Sequence, residues 1–132
     1  MNTPTISVVI PAAGSSTRFR SEQPKIYASI GGMPLILHAL HVFDQVPSIR
    51  EIVIAVSSGT QDRFRRNVLA RAKLKKPVIL VAGGKTRAQS VWNGLKRVAR
   101  KSEYVCIHDA ARPMIRSSWV NDLIHEMNGW DG

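Results

Sequence analysis

The chain has 132 residues, a single cysteine (Cys106) and few aromatic side chains, which make up 6% of the total. One cysteine cannot form an intramolecular disulfide, which excludes a disulfide-built scaffold and favours a reducing compartment, so we expect a cytoplasmic protein. No apolar run approaches the ~18 residues needed to cross a bilayer, and the first four residues lack the basic segment of a signal peptide. We therefore expect neither a membrane partner nor a cleaved leader.

Acidic residues are also scarce, since 9 Asp and Glu stand against 19 Lys and Arg and give a formal net charge of +10. This balance predicts an anionic partner: nucleic acid, acidic lipid or a phosphorylated small molecule. The segment from Arg63 to Lys76 contains seven basic residues and no acidic one. It is either a solvated helix face with its loop or a nucleic-acid patch. Its one aromatic residue, Phe64, fits an apolar helix face, which argues against stacking on single strands.

Four short β-branched segments alternate with helical patterns along the chain. The predicted strands cover residues 6–10, 51–56, 78–81 and 104–107, and most are apolar nearly throughout, as is typical of parallel strands covered on both faces. Helical periodicity covers residues 35–43, 60–72 and 86–99, and a last helix begins at Ser117 or Ser118. The apolar face predicted for the third helix consists of Ala88, Val91, Trp92, Leu95, Val98 and Ala99.

This alternating order predicts an α/β fold with a doubly wound, mainly parallel sheet and helices on both faces. Residues 1–132 would form a single domain. Ligands of such sheets bind beyond the carboxyl ends of the strands, near a topological switch point. The loops expected to form the site therefore cover residues 12–25, 83–87 and 109–113.

The first of these loops contains small residues, Ala12, Ala13 and Gly14, followed by Arg18 and Lys25. Small residues after a strand let backbone N–H groups approach a phosphate, and the two cations could gather on one polyphosphate. The alternative is an ordinary Gly/Ser-rich loop with two solvated cations. A dinucleotide fingerprint is excluded because the G-x-G-x-x-G spacing is absent.

The second loop contains Gly83 and Gly84, followed by Lys85 and Thr86. A Walker A loop is excluded because Ile79, inside a predicted strand, stands where its first glycine would be. The turn could present backbone groups to a base or a phosphate, or it could be a tight turn followed by a helix cap.

The third loop places Asp109 directly beyond the fourth strand. A carboxylate there can hold Mg²⁺ together with substrate phosphates and water, or it can pair with an arginine and close the loop. A zinc site is not expected, because His38 and His41 have no third ligand at a recognisable spacing. Cys106, in the middle of a strand, is expected to be a small buried residue rather than a nucleophile.

In combination and in this order, the three loops resemble those of the 2-C-methyl-D-erythritol 4-phosphate cytidylyltransferase family. The stretch from Val105 to Pro113 is the most specific part of the resemblance, which covers nearly the whole chain but only the N-terminal part of a typical family chain. The matching positions are Pro11, Ala12, Ala13, Gly14, Arg18, Pro24, Lys25, Gly83, Gly84, Arg87, Ser90, Val91, Asn93, Gly94 and Leu95, with Val105 through Pro113.

The resemblance implies a Rossmann-like nucleotide-binding domain, here truncated, and transfer of CMP from CTP to methylerythritol phosphate with Mg²⁺ as cofactor. It implies that the backbone of Ala12, Ala13 and Gly14 surrounds the CTP triphosphate, with Arg18 and Lys25 as catalytic cations. It assigns cytosine recognition to backbone groups of Gly84 and Lys85 and to the Ser90 hydroxyl, the ribose to Ala110, the metal and sugar phosphate to Asp109, and a substrate contact to Arg112.

The implied partners are CTP and a sugar-alcohol phosphate, with no nucleic acid. Family members form homodimers, but the dimer-forming arm and most residues that hold the acceptor have no counterpart in this sequence. The alternatives left open are a ribitol-5-phosphate cytidylyltransferase, a nucleotide-binding module without catalysis, and a nucleic-acid binder driven by the +10 charge.

Overall fold

The computed structural model describes residues 4–13, 29–30, 33–110 and 116–127, with the backbone alone at positions 29, 30 and 127. The strands are β1 (Ile6–Ala12), β2 (Ser29–Ile30), β3 (Met33–Pro34), β4 (Ile49–Val56), β5 (Val78–Ala82) and β6 (Tyr104–Ile107). The helices are α1 (Leu35–Asp44), α2 (Gln61–Phe64), α3 (Ala70–Ala72), α4 (Arg87–Leu95) and α5 (Ser117–Met127), and a π-helical turn, Arg65–Leu69, joins α2 to α3. The four predicted strands are confirmed, whereas the small β2–β3 pair was not predicted.

The main sheet has the order β5-β4-β1-β6, and all of its neighbouring strands are parallel. The chain runs outward from β1 through β4 to β5 and then crosses to the other side of β1 to form β6. The direction of winding therefore reverses between β1 and β6. In doubly wound sheets this reversal opens a crevice at the carboxyl ends of the strands, where ligands of such folds bind, and the described starts of the three predicted loops lie at these ends.

Both faces of the two central strands, β1 and β4, are covered, as strands that are apolar nearly throughout predict. On one face, α1, α2, α3 and α5 pack against alternate residues of β1 and β4. Fully buried members of this core are Val8, Ile10, Ile36, Leu40, Phe43, Ile52, Ile54, Phe64 and Val68. On the opposite face α4 packs against β1 and β4. The doubly wound parallel fold predicted from the sequence is confirmed.

The approach of α4 to the sheet depends on a glycine. A Cβ atom on Gly94 would lie 2.6 Å from the Val9 Cγ1, closer than real Cβ contacts come. Gly94 and Ser90, four residues apart on the same helix face, are the buried residues of α4. Small side chains on this face therefore let the helix axis lie close to β1, which brings the start of α4 over the carboxyl ends of the central strands.

The predicted apolar face of this helix is wrong. Trp92 is 58% exposed and Ala88 is exposed, because Ser90 and Gly94 form the face that meets the sheet. The predicted end at residue 99 is also wrong, since α4 ends at Leu95. Beyond it the backbone N–H groups of Arg97 and Val98 bond to carbonyls three residues back, which tightens the chain into turns.

These turns are anchored by a buried carboxylate at the amino end of the sheet. Glu51, 7% exposed, accepts hydrogen bonds from the Ala99 backbone N–H at 2.7 Å and from the Ser7 hydroxyl at 2.5 Å. The Ser7 and Ser102 hydroxyls also bond to each other. This network joins β1, β4 and the segment before β6, so it fixes where β6 enters the sheet.

The segment of residues 61–72 follows a strict four-residue pattern. Phe64, Val68 and Ala72 are buried, whereas the positions just before each of them, 63, 67 and 71, are exposed. In a regular α-helix, residues four apart drift steadily around the axis, because each turn holds 3.6 residues. The wider π-helical turn at Arg65–Leu69 offsets this drift, so the buried residues remain on one stripe against the core.

Within the described part of the chain, no helix is long and apolar enough to span a membrane.

Candidate functional site

The carboxyl ends of β1, β4 and β5 lie side by side in register. Ala12 is paired with Val56, and Val56 with Ala82. The next residues along the chain, Ala13 after β1 and Gly83 after β5, therefore emerge at the same edge of the sheet. The Ser57 hydroxyl, just after β4, donates to the Ala13 carbonyl at 3.0 Å and holds the start of the first loop.

Gly83 fits between the first loop and the start of α4. Its backbone N–H donates to the Val56 carbonyl at 2.6 Å. A Cβ atom at this position would overlap the Ala13 Cβ and would lie 2.9 Å from the Ser90 Oγ. Glycine is therefore required here for close approach of the two loops, which joins two of the regions that the sequence singled out.

The Ser90 hydroxyl holds the glycine turn through a hydrogen bond to its backbone. Ser90 is 3% exposed, and its Oγ accepts a hydrogen bond from the Gly84 backbone N–H at 3.0 Å. The resemblance assigned both groups to cytosine recognition, and the structure brings them together. Lys85, the third residue of that assignment, is exposed at the outer end of the turn.

A capped helix follows the turn. The Thr86 Oγ1 accepts from the Gln89 backbone N–H at 3.0 Å, which is the side-chain cap of α4. The Asn93 side-chain amide donates to the Ala82 carbonyl at 3.0 Å and ties α4 to the end of β5. The sequence left open whether this region is a ligand-binding turn or a turn with a helix cap, and the structure contains a fixed turn and a cap together.

Asp109 pairs with an arginine at the start of α4. The Arg87 Nε lies 2.9 Å from the Asp109 Oδ1, and the side chains are 62% and 39% exposed. Arg87 is the first residue of α4, which follows the edge strand β5, whereas Asp109 follows β6, the edge strand on the opposite side of the sheet. Sequence spacing gives no sign of this pair. Only the topology could have indicated it, because the start of α4 and the end of β6 both lie at the carboxyl ends of the parallel strands.

The residues around Asp109 are held by β1 and α1. The His108 backbone N–H donates to the Val9 carbonyl at 3.0 Å, and the His108 ring packs edge-on against Phe43 with 5.2 Å between ring centroids. Ala110 is buried. These contacts anchor the start of the third loop, through residue 110, at the carboxyl end of β6.

Four of the site residues that the resemblance assigned lie outside the described residues: Gly14, Arg18, Lys25 and Arg112.

Two other groups that the sequence raised have structural environments of their own. Cys106 lies in β6 and is half-buried, not buried as predicted; burial still raises the pKa of its thiol, which argues against an activated nucleophile. Among the described residues, no group of three or more His, Cys, Asp and Glu side chains lies close enough to hold a metal ion. The Asp109 carboxylate is an oxygen ligand of the kind that Mg²⁺ takes together with phosphate oxygens and water.

The parallel doubly wound sheet, with a glycine turn and an acidic loop at its carboxyl edge, defines a Rossmann-like α/β domain of the nucleotidyltransferase type. The chain belongs to the 2-C-methyl-D-erythritol 4-phosphate cytidylyltransferase family, whose model matches residues 6–131. It is 37% identical over 119 residues to the enzyme of that name from Caldanaerobacter subterraneus subsp. tengcongensis, covering 90% of this chain and 52% of the relative. It is 40% identical over 124 residues to the one from Azoarcus, covering 92% and 52%.

A solved structure agrees with the sequence relatives. The crystal structure of 4-diphosphocytidyl-2C-methyl-D-erythritol synthase from Anaerococcus prevotii superposes with a TM-score of 0.79 at 25% identity, covering 96% of this chain and 52% of that one. The chain thus spans about half the length of the relatives it matches.

Proposed function

We propose that this chain forms the nucleotide-binding half of a cytidylyltransferase that moves CMP from CTP to 2-C-methyl-D-erythritol 4-phosphate. The observation that carries this proposal is the family match over residues 6–131, because the relatives reported above bear the name of that activity. The structure supports it by joining the Ala13 loop and the Gly83–Gly84 turn at one edge of the sheet, with Asp109 across the crevice from them.

The triphosphate is assigned to the first loop. The backbone of Ala12, Ala13 and Gly14 lines it, and Arg18 and Lys25 neutralise its charge as the reaction proceeds. Support comes from Gly83, whose lack of a side chain leaves the Ala13 backbone at close range to the second loop. Arginine suits bidentate contact with phosphate oxygens, whereas lysine acts as a mobile point charge.

The base is assigned to the turn of Gly84, Lys85 and Ser90. A turn held by the 3.0 Å bond between the Gly84 N–H and the Ser90 hydroxyl presents its remaining backbone groups in a fixed arrangement. A fixed backbone edge recognises a pyrimidine by its donor and acceptor pattern and excludes a purine by size. We therefore expect CTP to bind in preference to ATP and GTP.

The third loop is assigned to both substrates, with Asp109 at the metal and the sugar phosphate of the acceptor, Ala110 at the ribose of CTP and Arg112 at a substrate contact. The Asp109 carboxylate is a hard oxygen ligand that is partly exposed at the crevice, so it fits Mg²⁺ when phosphate oxygens and water complete the coordination. Bound there, the ion would neutralise charge on the triphosphate.

The chemistry requires alignment rather than a general base. An oxygen of the acceptor phosphate attacks the α-phosphorus of CTP, the new P–O bond forms, and the bond to the bridging oxygen of the β-phosphate breaks. Pyrophosphate leaves with that electron pair. Because the acceptor is already an anion, the protein needs mainly to hold two anions in line and to neutralise negative charge at the α-phosphorus.

A second candidate function is nucleotide binding without transfer. It is favoured by one observation: the chain spans 52% of the length of its relatives, so about half of each relative has no counterpart among the matched positions. A ribitol-5-phosphate acceptor is the other alternative at the same site.

Calorimetry with CTP, UTP, ATP and GTP in the presence of Mg²⁺ tests the nucleotide assignment, and equal affinities for all four would contradict it. Pyrophosphate release with CTP and each of the two acceptors separates the remaining functions. Turnover with methylerythritol phosphate supports transfer to that acceptor, turnover with ribitol phosphate alone supports the alternative, and binding of CTP without turnover supports the second candidate.

A further inference from the structure

The helical segment of residues 61–72 and the loop after it carry an exposed cationic surface that the proposed function does not use. Its members, called the basic face below, are the exposed side chains of Arg63, Arg66, Arg71, Lys73 and Lys75. We propose that the basic face binds the phosphate backbone of double-stranded nucleic acid without sequence preference.

The four-residue pattern of this segment places the arginines together. Phe64, Val68 and Ala72 form one buried stripe, so Arg63, Asn67 and Arg71 form a parallel stripe one position earlier, and all three are exposed. The stripe of positions 62, 66 and 70 is exposed as well and contains Arg66. The one acidic residue on these two stripes, Asp62, forms an ion pair with Arg65 at 3.3 Å. The outward surface therefore keeps a net positive charge.

The loop that continues the surface is held in place. The Asp44 carboxylate accepts hydrogen bonds from the backbone N–H groups of Lys75 and Lys76 at 3.0 to 3.2 Å. The Lys76 ammonium donates to the Ile49 carbonyl, and burial lowers its pKa, so this lysine is part of the scaffold rather than of the basic face. Lys73 and Lys75 thus project from a fixed backbone at the end of the helix, which reduces the entropy lost when they contact a phosphate.

Lys73 occupies a position where glycine is favoured. Its φ of 50° lies in the left-handed region at the C-cap of α3. Lysine is strained there, whereas glycine adopts this conformation without cost. The position therefore offers a variant that removes one cation of the basic face while relieving backbone strain.

The surroundings of the basic face favour duplex nucleic acid over the other polyanions. A membrane-surface helix inserts apolar side chains beside its cations, but Phe64, Val68 and Ala72 are committed to the core. Single strands are held by stacking on exposed aromatic rings, and the exposed stripes of this helix contain none. Arginine and lysine on a rigid polar surface match a regular array of phosphates. The family resemblance implies no nucleic-acid partner. The basic segment raised one as an alternative, but periodicity alone could not show which of its cations share a surface.

Fluorescence anisotropy of a labelled duplex of about 20 base pairs, titrated with the full chain from about 50 to about 200 mM salt, tests the proposal. We expect a dissociation constant in the micromolar range at low salt and a slope of log K against log salt of about −3 to −4. The variant Arg63→Gln/Arg66→Gln/Arg71→Gln should bind about tenfold or more weakly, with the slope reduced by about one for each lost contact.

The matched control is Lys96→Gln/Arg97→Gln/Arg100→Gln, which removes three exposed cations outside the basic face and changes the net charge equally. Its affinity should change less than about threefold, since exposed charges away from the contact are screened. Equal losses in the two triple variants would overturn the proposal, because binding would then follow net charge alone.

Lys73→Gly separates binding from folding. We expect its Tm to equal or exceed that of the unmodified chain and its duplex affinity to fall. Unchanged affinity in this variant and in the arginine triple variant would overturn the proposal. Sedimentation with phosphatidylserine vesicles and anisotropy with a single strand of the same length complete the test, and binding to either one in preference to the duplex would also overturn it.

Discussion

The Arg87 guanidinium holds the Asp109 carboxylate at 2.9 Å across the carboxyl ends of β4 and β1, the two strands that separate β5 from β6 in the sheet. The pair links two loops that reach the crevice from opposite sides. Because both side chains are partly exposed, a bound anion can attract the guanidinium and a bound cation the carboxylate without any change in the core.

Arg87→Gln should affect nucleotide binding more than stability. A partly exposed ion pair contributes less than about 1 kcal/mol, so the free energy of unfolding in urea should fall by no more than that. The dissociation constant for CTP should rise about fivefold, because the substitution removes one cation near the proposed triphosphate site and leaves the negative charge of Asp109 less well balanced. Calorimetry at low ionic strength measures the change in affinity.

The double variant Arg87→Gln/Asp109→Asn, measured without Mg²⁺, should recover part of this affinity because the negative charge that Arg87 balanced is removed as well. Arg97→Gln is the control, since Arg97 is an exposed cation beyond the end of α4. If Arg97→Gln weakens CTP binding as much as Arg87→Gln does, the effect belongs to the overall charge and not to the pair.

Ser90→Ala should loosen the glycine turn. The substitution leaves the Gly84 N–H without its 3.0 Å acceptor, which should cost about 1–3 kcal/mol of stability and reduce the preference for CTP over ATP. Thr86→Ala is the matched control. It removes the cap of α4, at a cost of about 1 kcal/mol, but leaves the Gly84 contact in place. Thermal unfolding and nucleotide competition measure both variants, and equal losses of preference would contradict a specific role for Ser90.

The sequence predicted the architecture of this domain more completely than its site. Strands such as β1 were identified because they are apolar nearly throughout, and helices because of their period, and both properties depend on local residues. The ion pair of Arg87 with Asp109 depends on the strand order, which no local pattern contains. The face of α4 was predicted wrongly for a related reason, since hydrophobicity favours Trp92 whereas close packing on the sheet favours Ser90 and Gly94.

The assignment of the glycine turn was likewise incomplete from the sequence. The pair of Gly83 and Gly84 indicated a turn, but the need for glycine at position 83 arises from Ala13 in another loop. Long-range steric contacts of this kind can be read only once the strands are in register. The substrate contacts that rest on the family resemblance, such as those of Arg18 and Arg112, remain predictions.

Gly94→Ala should destabilise the domain by about 1–3 kcal/mol, because the new methyl group would lie 2.6 Å from the Val9 Cγ1 in a close-packed interface. The helix preference for alanine over glycine acts in the opposite direction and is worth about 1 kcal/mol. Urea unfolding measures the balance. Val9→Ala in the same chain should recover part of the loss by making room for the methyl group, so additive losses in the double variant would show that this contact is not the cause.

An apolar groove of about 270 Å³ lies beside β6, which pairs with β1 alone among the described strands. Its lining includes Val105 and Ile107, which are 37% and 43% exposed, and Leu123 of α5, which is also exposed. An edge strand with accessible backbone groups beside exposed apolar side chains favours association with other chains.

We therefore expect the chain to self-associate through this groove, and the mean mass measured by light scattering should rise with protein concentration. Added salt should strengthen the association, because it screens the repulsion between copies that each carry a net charge of +10 and leaves apolar burial intact.

Leu123→Glu should shift the distribution toward the monomer, since it places a charge in the groove. Arg71→Gln, on the exposed side of another helix, is the control, since it lowers the net charge by the same amount and should leave the groove unaltered. A monomer at all concentrations, or association that persists unchanged in Leu123→Glu, would show that the groove does not mediate contact between chains.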